Sequence, residues 1–456
     1  MGAIFGTDGT RGQANQELTP ELTMALGRAL VTLLHTGGQQ RPTVVVGRDP
    51  RWSGEMLEAA LVAGVTSAGG DALCVGVLPT PGVAHLTARS AAAAGAMISA
   101  SHNPVGDNGI KFFGTEGFKL TDDEEAALER IVAERSARRP TGTDIGRRLS
   151  DPSAIARYIE HLASTAEVDL SGLRIVVDGA NGAASSVAPQ VYRHLGAEVI
   201  TVHCTPDGAN INERAGSTYP EVIRAAVIEH GADVGISHDG DADRLIAATH
   251  EGVEVDGDVI LAILARDMHL RGTLAQDTVV TTVMTNLGFK RAMDGLHIDV
   301  VETKVGDRYV LEAMRRRKLN LGGEQSGHLI DLDHATTGDG VLSAVRLLSV
   351  VRSTGEPLRE LATVMSRLPQ VLVNVRGVDR DRLADTPEVW AAVRAEEARL
   401  GAGGRVLLRP SGTEPLIRVM AEAETEQDAQ RAVDTIADAV RDHLTAAAAA
   451  PDPVGT

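Results

Sequence analysis

The chain has 456 residues, 43% hydrophobic and only 2% aromatic, so a globular protein of this make-up fills its cores with Ala, Val, Leu and Ile. At roughly 150 residues per domain, the length sets a soft prior of about three domains. A formal charge of −18 argues against non-specific attraction to nucleic acid or an anionic membrane surface, and no apolar run approaches the ~18 residues of a membrane span.

Strand-like runs alternate with amphipathic segments, the pattern of parallel α/β sheets. Thr43 to Val46 leads into Gly47-Arg48-Asp49. Ala94 to Ile98 reads as a buried strand, and Gly109-Ile110-Lys111-Phe112-Phe113 resumes an apolar run with one cation in it. The segment between them, Ser99-Ala100-Ser101-His102-Asn103-Pro104, is therefore a turn that presents Ser101. A serine hydroxyl is a weak nucleophile unless a base or a positive field stabilises its alkoxide, and His102 and Lys111 are the candidates for both services.

Leu173 to Val177 leads into Asp178-Gly179-Ala180-Asn181-Gly182, and Thr278 to Val283 leads into Met284-Thr285-Asn286-Leu287-Gly288. With Thr43 to Val46, these strand-then-loop openings predict three related units. Asp8, Asp49 and Asp178 flank strands and read as helix caps or turn formers.

Directly after the run Ala232 to Ile236, Asp239-Gly240-Asp241-Ala242-Asp243-Arg244 places carboxylates at alternate positions, aimed at one centre. An oxygen-only set suits a hard divalent cation, and three carboxylates leave room for a phosphate oxygen or waters, as Mg²⁺ prefers. An EF-hand is excluded, because Arg244 stands where that loop needs its Gly and His250 where it needs its Glu.

Val371 to Val375, Val406 to Leu408, Ile417 to Val419 and a helix from Glu426 to Leu444 predict a final α+β module unlike the others. Inside it, Arg409-Pro410-Ser411-Gly412-Thr413-Glu414-Pro415-Leu416-Ile417-Arg418 offers two guanidiniums, two hydroxyls and unobstructed backbone amides, which read either as a cradle for phosphate or as a plain hairpin with charged flanks. It is not a Walker A loop. Polar connections at 136–153 and 250–257, and Pro369, mark candidate boundaries.

Lys111, Lys119, Lys290, Lys304 and Lys318 are the only lysines, and two of them, Lys111 and Lys304, lie inside motifs. Cys74 and Cys204 are isolated, each in a strand-like apolar stretch, and read as buried thiols. No charged-then-apolar segment opens the sequence, so the cytoplasm is the expected compartment.

Taken together with Gly6-Thr7-Asp8-Gly9-Thr10-Arg11-Gly12 and Gly323-Glu324-Gln325-Ser326-Gly327-His328, these motifs and their order resemble the alpha-D-phosphohexomutase family over nearly the whole chain. The resemblance implies an α/β fold: three similar α/β domains with mixed sheets, then a smaller α+β C-terminal domain, four domains around a central cleft. They would span 1–150, 151–252, 253–368 and 369–446, with a disordered tail at 447–456.

It further implies that Ser101 is carried as a phosphoserine and that Asp239, Asp241 and Asp243, with Ser101, hold one Mg²⁺ per chain. Arg11 and Lys111 would stand beside the phosphoserine, Glu324 and Ser326 would bind the sugar, and Arg409, Ser411, Gly412, Thr413 and Arg418 would bind the substrate phosphate. Arg308 would contact phosphate or phosphoserine. His328 and Lys111 are candidates for proton transfer, while His102 would serve there or shape the loop. The family would gather Arg11, Arg48, Lys111, Arg244, Arg409 and Arg418 in the cleft.

Thr303 to Val310 and Gln325 resemble the hexosamine-phosphate members. The implied activity is interconversion of glucosamine 6-phosphate and glucosamine 1-phosphate through a 1,6-bisphosphate, feeding UDP-N-acetylglucosamine synthesis, with a sugar 1,6-bisphosphate as priming activator. The implied partner is a small hexosamine phosphate, neither nucleic acid nor membrane, and a homodimer is left open. Thr10, Ala215, Tyr219 and Ala242 depart from the family pattern without removing any of these charged or hydroxyl groups. Glucose or mannose phosphate as substrate, a non-catalytic sugar-phosphate binder and a phosphatase-like hydrolase stay open as alternatives.

Overall fold

Residues 4–6, 8–411, 414 and 416–445 are described by the computed structural model. The expected tail at 447–456, and Gly412 and Thr413 of the phosphate loop, lie outside the described residues. The chain divides into two compact units, residues 1–284 with 293–364, and residues 285–292 with 365–456.

The first unit holds three mixed sheets. One contains β1 (Thr10–Gln13), β2 (Thr43–Arg48), β3 (Asp71–Val77), β4 (Ala94–Ile98), β5 (Asp107–Gly114) and β6 (Arg148–Ser150), in the order β1-β5-β4-β2-β3-β6. The next contains β7 (Arg174–Asp178), β8 (Glu198–Val202), β9 (Val234–Ser237), β10 (Ile246–Thr249) and β11 (Glu254–Val255), in the order β11-β10-β9-β7-β8. The third contains β12 (Thr278–Thr282), β13 (Asp299–Thr303), β14 (Leu321–Gly323) and β15 (Leu329–Asp331), in the order β13-β12-β14-β15.

One arrangement repeats in all three. The strands β2, β7 and β12 each lie between two parallel neighbours, and the later neighbour (β4, β9 or β14) turns back into an antiparallel strand (β5, β10 or β15). Parallel strands covered on both faces have no polar alternation, and β4 is buried along its whole length, as expected from its run of small and apolar residues. Gly95 in β4 lets the helix Thr80–Arg89 approach closely, since a Cβ there would stand 2.2 Å from Thr87 Oγ1.

Local chemistry starts and stops the helices that flank these sheets. Thr121 and Glu124 form a reciprocal capping box ahead of the helix Asp122–Glu134. Asp339 caps the helix Gly340–Thr354, which ends on Gly355 in the left-handed conformation. Around the first sheet, the core is built from Leu26, Leu30, Val44, Val46, Leu57, Leu61, Val65 and Ile98, with Phe112 as a buried aromatic.

The second unit is an antiparallel sheet of β16 (Gln370–Arg376), β17 (Gly404–Pro410) and β18 (Leu416–Ala423), ordered β16-β18-β17, with the helices Pro387–Leu400 and Glu426–Leu444. Ala432, Val433, Ile436, Val440 and Leu444 recur at helical spacing and are buried in one cluster with Val375, Ile417 and Val419. Arg405 makes a bidentate pair with the fully buried Glu422, at 2.8 and 3.0 Å.

Two strands fall in segments that the sequence marks as connections. β6 lies within 136–153 and pairs in parallel with β3, and β11 lies within 250–257 and pairs with β10. At three and two residues they are too short to show a period. The reading of the cysteines needs one correction: Cys74 is buried in β3, but Cys204 lies past the end of β8 and is half-buried. Its apolar surroundings end with the strand at Val202. Among the described residues, no helix is long and apolar enough to cross a membrane.

Candidate active site

The three equivalent turns, β4 to β5, β9 to β10 and β14 to β15, carry Ser101, the aspartate triplet and Glu324 to His328 respectively. Ser101 has a left-handed backbone, φ +52°, which L-residues adopt only when their surroundings impose it. Its hydroxyl donates to Asp239 Oδ2 at 2.5 Å and lies 3.3 Å from His102 Nδ1. Gly240 permits this approach, because a Cβ there would stand 2.4 Å from the Ser101 carbonyl oxygen.

Asp239, Asp241 and Asp243 are buried, and each offers a carboxylate oxygen within 4.8 Å of the others. Burial, then the neighbouring Asp243 and Asp241 carboxylates, push the Asp239 carboxyl up to about 8. Asp241 accepts from the Thr80 hydroxyl at 2.6 Å, yet Asp241 Oδ1 and Asp243 Oδ1 are buried without a hydrogen-bond partner among the described residues. Mutually repelling carboxylates with unclaimed inward oxygens fit a hard divalent cation.

Lys111, on β5, supplies the opposing charge. Only 2% exposed, its Nζ lies 3.0 Å from Asp8, 3.1 Å from Asp241 and 3.5 Å from Asp243. Burial works against the ammonium, but these carboxylates more than offset it and hold Lys111 protonated, well above its ordinary range. Arg11, on β1, donates to Asp8 at 2.5 Å and reaches the Ala100 carbonyl and Asn103 Oδ1 of the serine turn.

Asp8 is more than a turn former. Burial favours its neutral form, but Lys111, Lys119 and Arg11 outweigh burial and hold its carboxyl well below the usual range. Lys119, which no motif pointed to, pairs with both Asp8 and Asp307.

A cavity of about 740 Å³, within the range of small-ligand sites, is lined by Asp8, Arg11, Ser101, His102, Asp243, Arg244, Asp307, Glu324, Ser326 and His328. Glu324 accepts from the Gly306 amide at 3.0 Å, and burial raises its carboxyl. His328 Nδ1 lies 3.6 Å from Asp243, and Nε2 is 3.6 Å from Asp307 and accepts from the Gly338 amide at 3.2 Å. Burial lowers His328, but the two carboxylates prevail and its pKa is raised. Burial, then Arg244 and Arg11, lowers His102 to about 4, so its imidazole beside Ser101 is neutral at physiological pH.

Not every expected residue faces this cavity. Arg308 pairs with Asp122 and, at 3.0 Å, with Glu125. Arg48 pairs with Glu55 and Glu58 at 3.1 and 3.0 Å. Neither lines the cavity.

In the second unit, Arg409 and Arg418 are directly opposite on β17 and β18. Like charges in that position repel unless an anion lies beside them; the Glu414 carboxylate stands 3.5 Å from Arg418, and a phosphate is a further anion such a pair suits. Burial, then Arg418, lowers the Arg409 guanidinium. Ser411 is buried, and its carbonyl and that of Glu414 accept from Arg380 at 2.6 and 2.9 Å.

Comparison with known proteins agrees with this layout. Family models described as phosphoglucomutase/phosphomannomutase match the chain in four pieces: alpha/beta/alpha domain I at 2–139, domain II at 156–252, domain III at 256–368 and the C-terminal domain at 372–439. The chain belongs to the phosphoglucomutase/phosphomannomutase family.

Within it, the chain is 56% identical to a phosphoglucosamine mutase of Frankia alni, over 98% of this chain and 100% of the relative. It is 53% identical to that of Heliobacterium modesticaldum, over 97% and 100%. Among solved structures, a phosphoglucomutase/phosphomannomutase family protein of Burkholderia thailandensis shares the fold at a TM-score of 0.83 and 23% identity, covering 97% of this chain and 99% of that one. An N-acetylphosphoglucosamine mutase of Aspergillus fumigatus, solved with GlcNAc-6P and magnesium, aligns at 0.69 and 20%, covering 96% and 95%.

Proposed function

We propose that this chain interconverts glucosamine 6-phosphate and glucosamine 1-phosphate, using Ser101 as a phosphoryl carrier. The observation that carries the reading is the Ser101 hydroxyl on Asp239 at 2.5 Å, facing a cavity with Glu324, Ser326 and His328 on its wall. Relatives named for that activity, 51–56% identical over at least 93% of this chain, support the choice of sugar.

Catalysis of phosphoryl transfer rests on positioning and charge neutralisation. Phosphorylation of Ser101 adds about −1.5 to −2 charges. Asp239, Asp241, Asp243 and the phosphorylated Ser101 would hold Mg²⁺, which supplies further neutralisation when bound. Lys111 and Arg11 stabilise charge as it develops on the moving group. Arg409, Ser411, Gly412, Thr413 and Arg418 bind the phosphate that is not being transferred, and Glu324 and Ser326 bond the sugar hydroxyls.

In the forward direction, the sugar O1 attacks the phosphorus of phosphoserine, the Ser101 Oγ–P bond breaks, and the O1 proton leaves to a base. His328 on the cavity wall moves that proton. His102 serves the serine oxygen, and Lys111 acts as a fixed cation. The 1,6-bisphosphate then turns end for end, Ser101 attacks its 6-phosphate, and glucosamine 1-phosphate departs. A sugar 1,6-bisphosphate primes unphosphorylated Ser101 by the same transfer. We assign the domains as 1–150, 151–252, 253–368 and 369–446, and the working compartment as the cytoplasm.

The test is to incubate the protein with Mg²⁺ and glucose 1,6-bisphosphate, then compare catalytic efficiencies on glucosamine, glucose and mannose phosphates. Glucosamine phosphate ranks first, a Ser101 peptide gains one phosphate by mass spectrometry, and Ser101→Ala loses exchange while staying folded. A higher efficiency on glucose or mannose phosphate rejects the sugar assignment. Release of inorganic phosphate faster than isomer exchange rejects the mutase reading.

A further inference from the structure

Arg51 is a fully buried arginine that does not line the cavity described above and belongs to none of the motifs. All five of its guanidinium N–H groups are used. Nε donates to Asp49 Oδ2 at 2.9 Å, Nη1 to the carbonyls of Pro104 and Asp107, and Nη2 to those of Ser101 and Asn103 at 3.0 and 2.8 Å. One side chain on the β2 side of the sheet thus gathers four carbonyls of the turn that presents Ser101.

Its partner Asp49 continues the connection. Asp49 Oδ2 also accepts from the Ser99 hydroxyl at 2.6 Å, and Ser99 Oγ in turn accepts from the Ser101 amide at 3.0 Å. The bonds are directional: guanidinium to carboxylate, hydroxyl to carboxylate, amide to hydroxyl. From the neighbouring loop, Asn212 Nδ2 donates to the carbonyls of Ser101 and Asn103 at 2.8 and 3.1 Å. Both polar backbone groups of Ser101 are therefore claimed by buried side chains, at the residue whose φ of +52° an L-residue otherwise avoids.

We propose that Ser99, Asp49, Arg51 and Asn212 are positioning residues that impose the left-handed backbone of Ser101 and so aim its hydroxyl at the acidic triplet. The assignment rests on Ser101 being the phosphoryl carrier. None of the four touches the transferring group. They act by holding one torsion, and a nucleophile released from it relaxes toward the ordinary right-handed or extended regions and carries its oxygen off line.

The decisive variants are Ser99→Ala, Ser99→Thr and Asn212→Ala, assayed after priming with glucose 1,6-bisphosphate in saturating Mg²⁺. Ser99→Ala removes the hydroxyl that receives the Ser101 amide. It lowers kcat about tenfold or more, leaves KM for glucosamine 6-phosphate within about twofold, and keeps a folded circular dichroism spectrum. Ser99→Thr restores the hydroxyl and recovers most of kcat. Asn212→Ala, acting from the other side of the turn, repeats the split between kcat and KM, and decides the matter alone if Ser99→Ala does not fold.

A folded Ser99→Ala or Asn212→Ala protein with wild-type kcat overturns the proposal. So does a loss seen only as a lower unfolding temperature, or a Ser99→Thr variant no better than Ser99→Ala. Failure of the functional reading looks different: the wild-type protein itself would neither take phosphate on Ser101 nor convert glucosamine phosphates.

Discussion

Gly240→Ala adds one methyl group where the aspartate loop meets the serine turn. The new Cβ would lie 2.4 Å from the Ser101 carbonyl oxygen and 2.9 Å from Asn212 Nδ2, whereas ordinary contact begins at 3.4 Å. The obstacle on the Ser101 side is backbone, so the two loops must separate by about 1 Å. A misplacement of that size costs about 10²-fold in rate, and overpacking at such a contact costs about 1–3 kcal/mol of stability. Gly106→Ala is the control, because nothing stands within 4 Å of its added Cβ in the same turn. Steady-state kinetics of primed enzyme and urea unfolding read both effects. If Gly240→Ala kept wild-type kcat and a wild-type midpoint while Gly106→Ala behaved identically, the close approach of the two loops would have no catalytic meaning.

Mg²⁺ at 100 times its dissociation constant raises stability by about 2.7 kcal/mol if it binds only the folded chain. Calorimetry should show that shift in the wild-type protein and not in Asp241→Asn. Arg418→Gln removes one of the paired guanidiniums of β17 and β18, and raises KM for glucosamine 6-phosphate about 10- to 100-fold with little loss of stability. An unchanged KM contradicts the phosphate role.

Burial pushes the Asp339 carboxyl up to about 6, although it accepts from the Leu342 amide at 2.9 Å and the Tyr158 hydroxyl at 2.7 Å. Asp243 adds to the rise. The folded chain therefore keeps this proton to higher pH than the unfolded one, and the group costs nothing below about pH 4 and progressively more as pH rises through its folded value. Asp339→Asn should gain on the wild-type protein by up to ~3 kcal/mol between about pH 4 and pH 7, and parallel urea-unfolding profiles would refute this.

What the sequence revealed of the site was what lies close together along it. Each of the three turns concentrates its hydroxyls, carboxylates or imidazole within a few residues, and the helix Glu426–Leu444 announces itself by its apolar period. Groups that act across long separations gave no such signal. Arg51 joins the serine turn from 50 residues away, and Asn212 from 111. Of the arginines flanking Asp49, Arg48 drew notice, but it ends β2 facing Glu55 and Glu58, whereas Arg51 lies buried under the turn. Lys119 stands in no motif, and its partners Asp8 and Asp307 lie 111 and 188 residues away. Strands as short as β6 and β11 have too few residues to show alternation, and their existence depends on a neighbour with an open edge.

The recurrence of one strand order in three sheets places the Ser101 turn, the aspartate triplet and Glu324 to His328 at the same corner of three separate ladders. These corners are stitched together through the backbone, since the Leu245 amide donates to the Gly327 carbonyl at 3.0 Å and the Thr80 amide to that of Asp241 at 3.0 Å. A rebuilt 324–328 turn would therefore tug on the start of β10 just past the acidic triplet, so on the proposed reading a new sugar preference comes with an adjusted ion site.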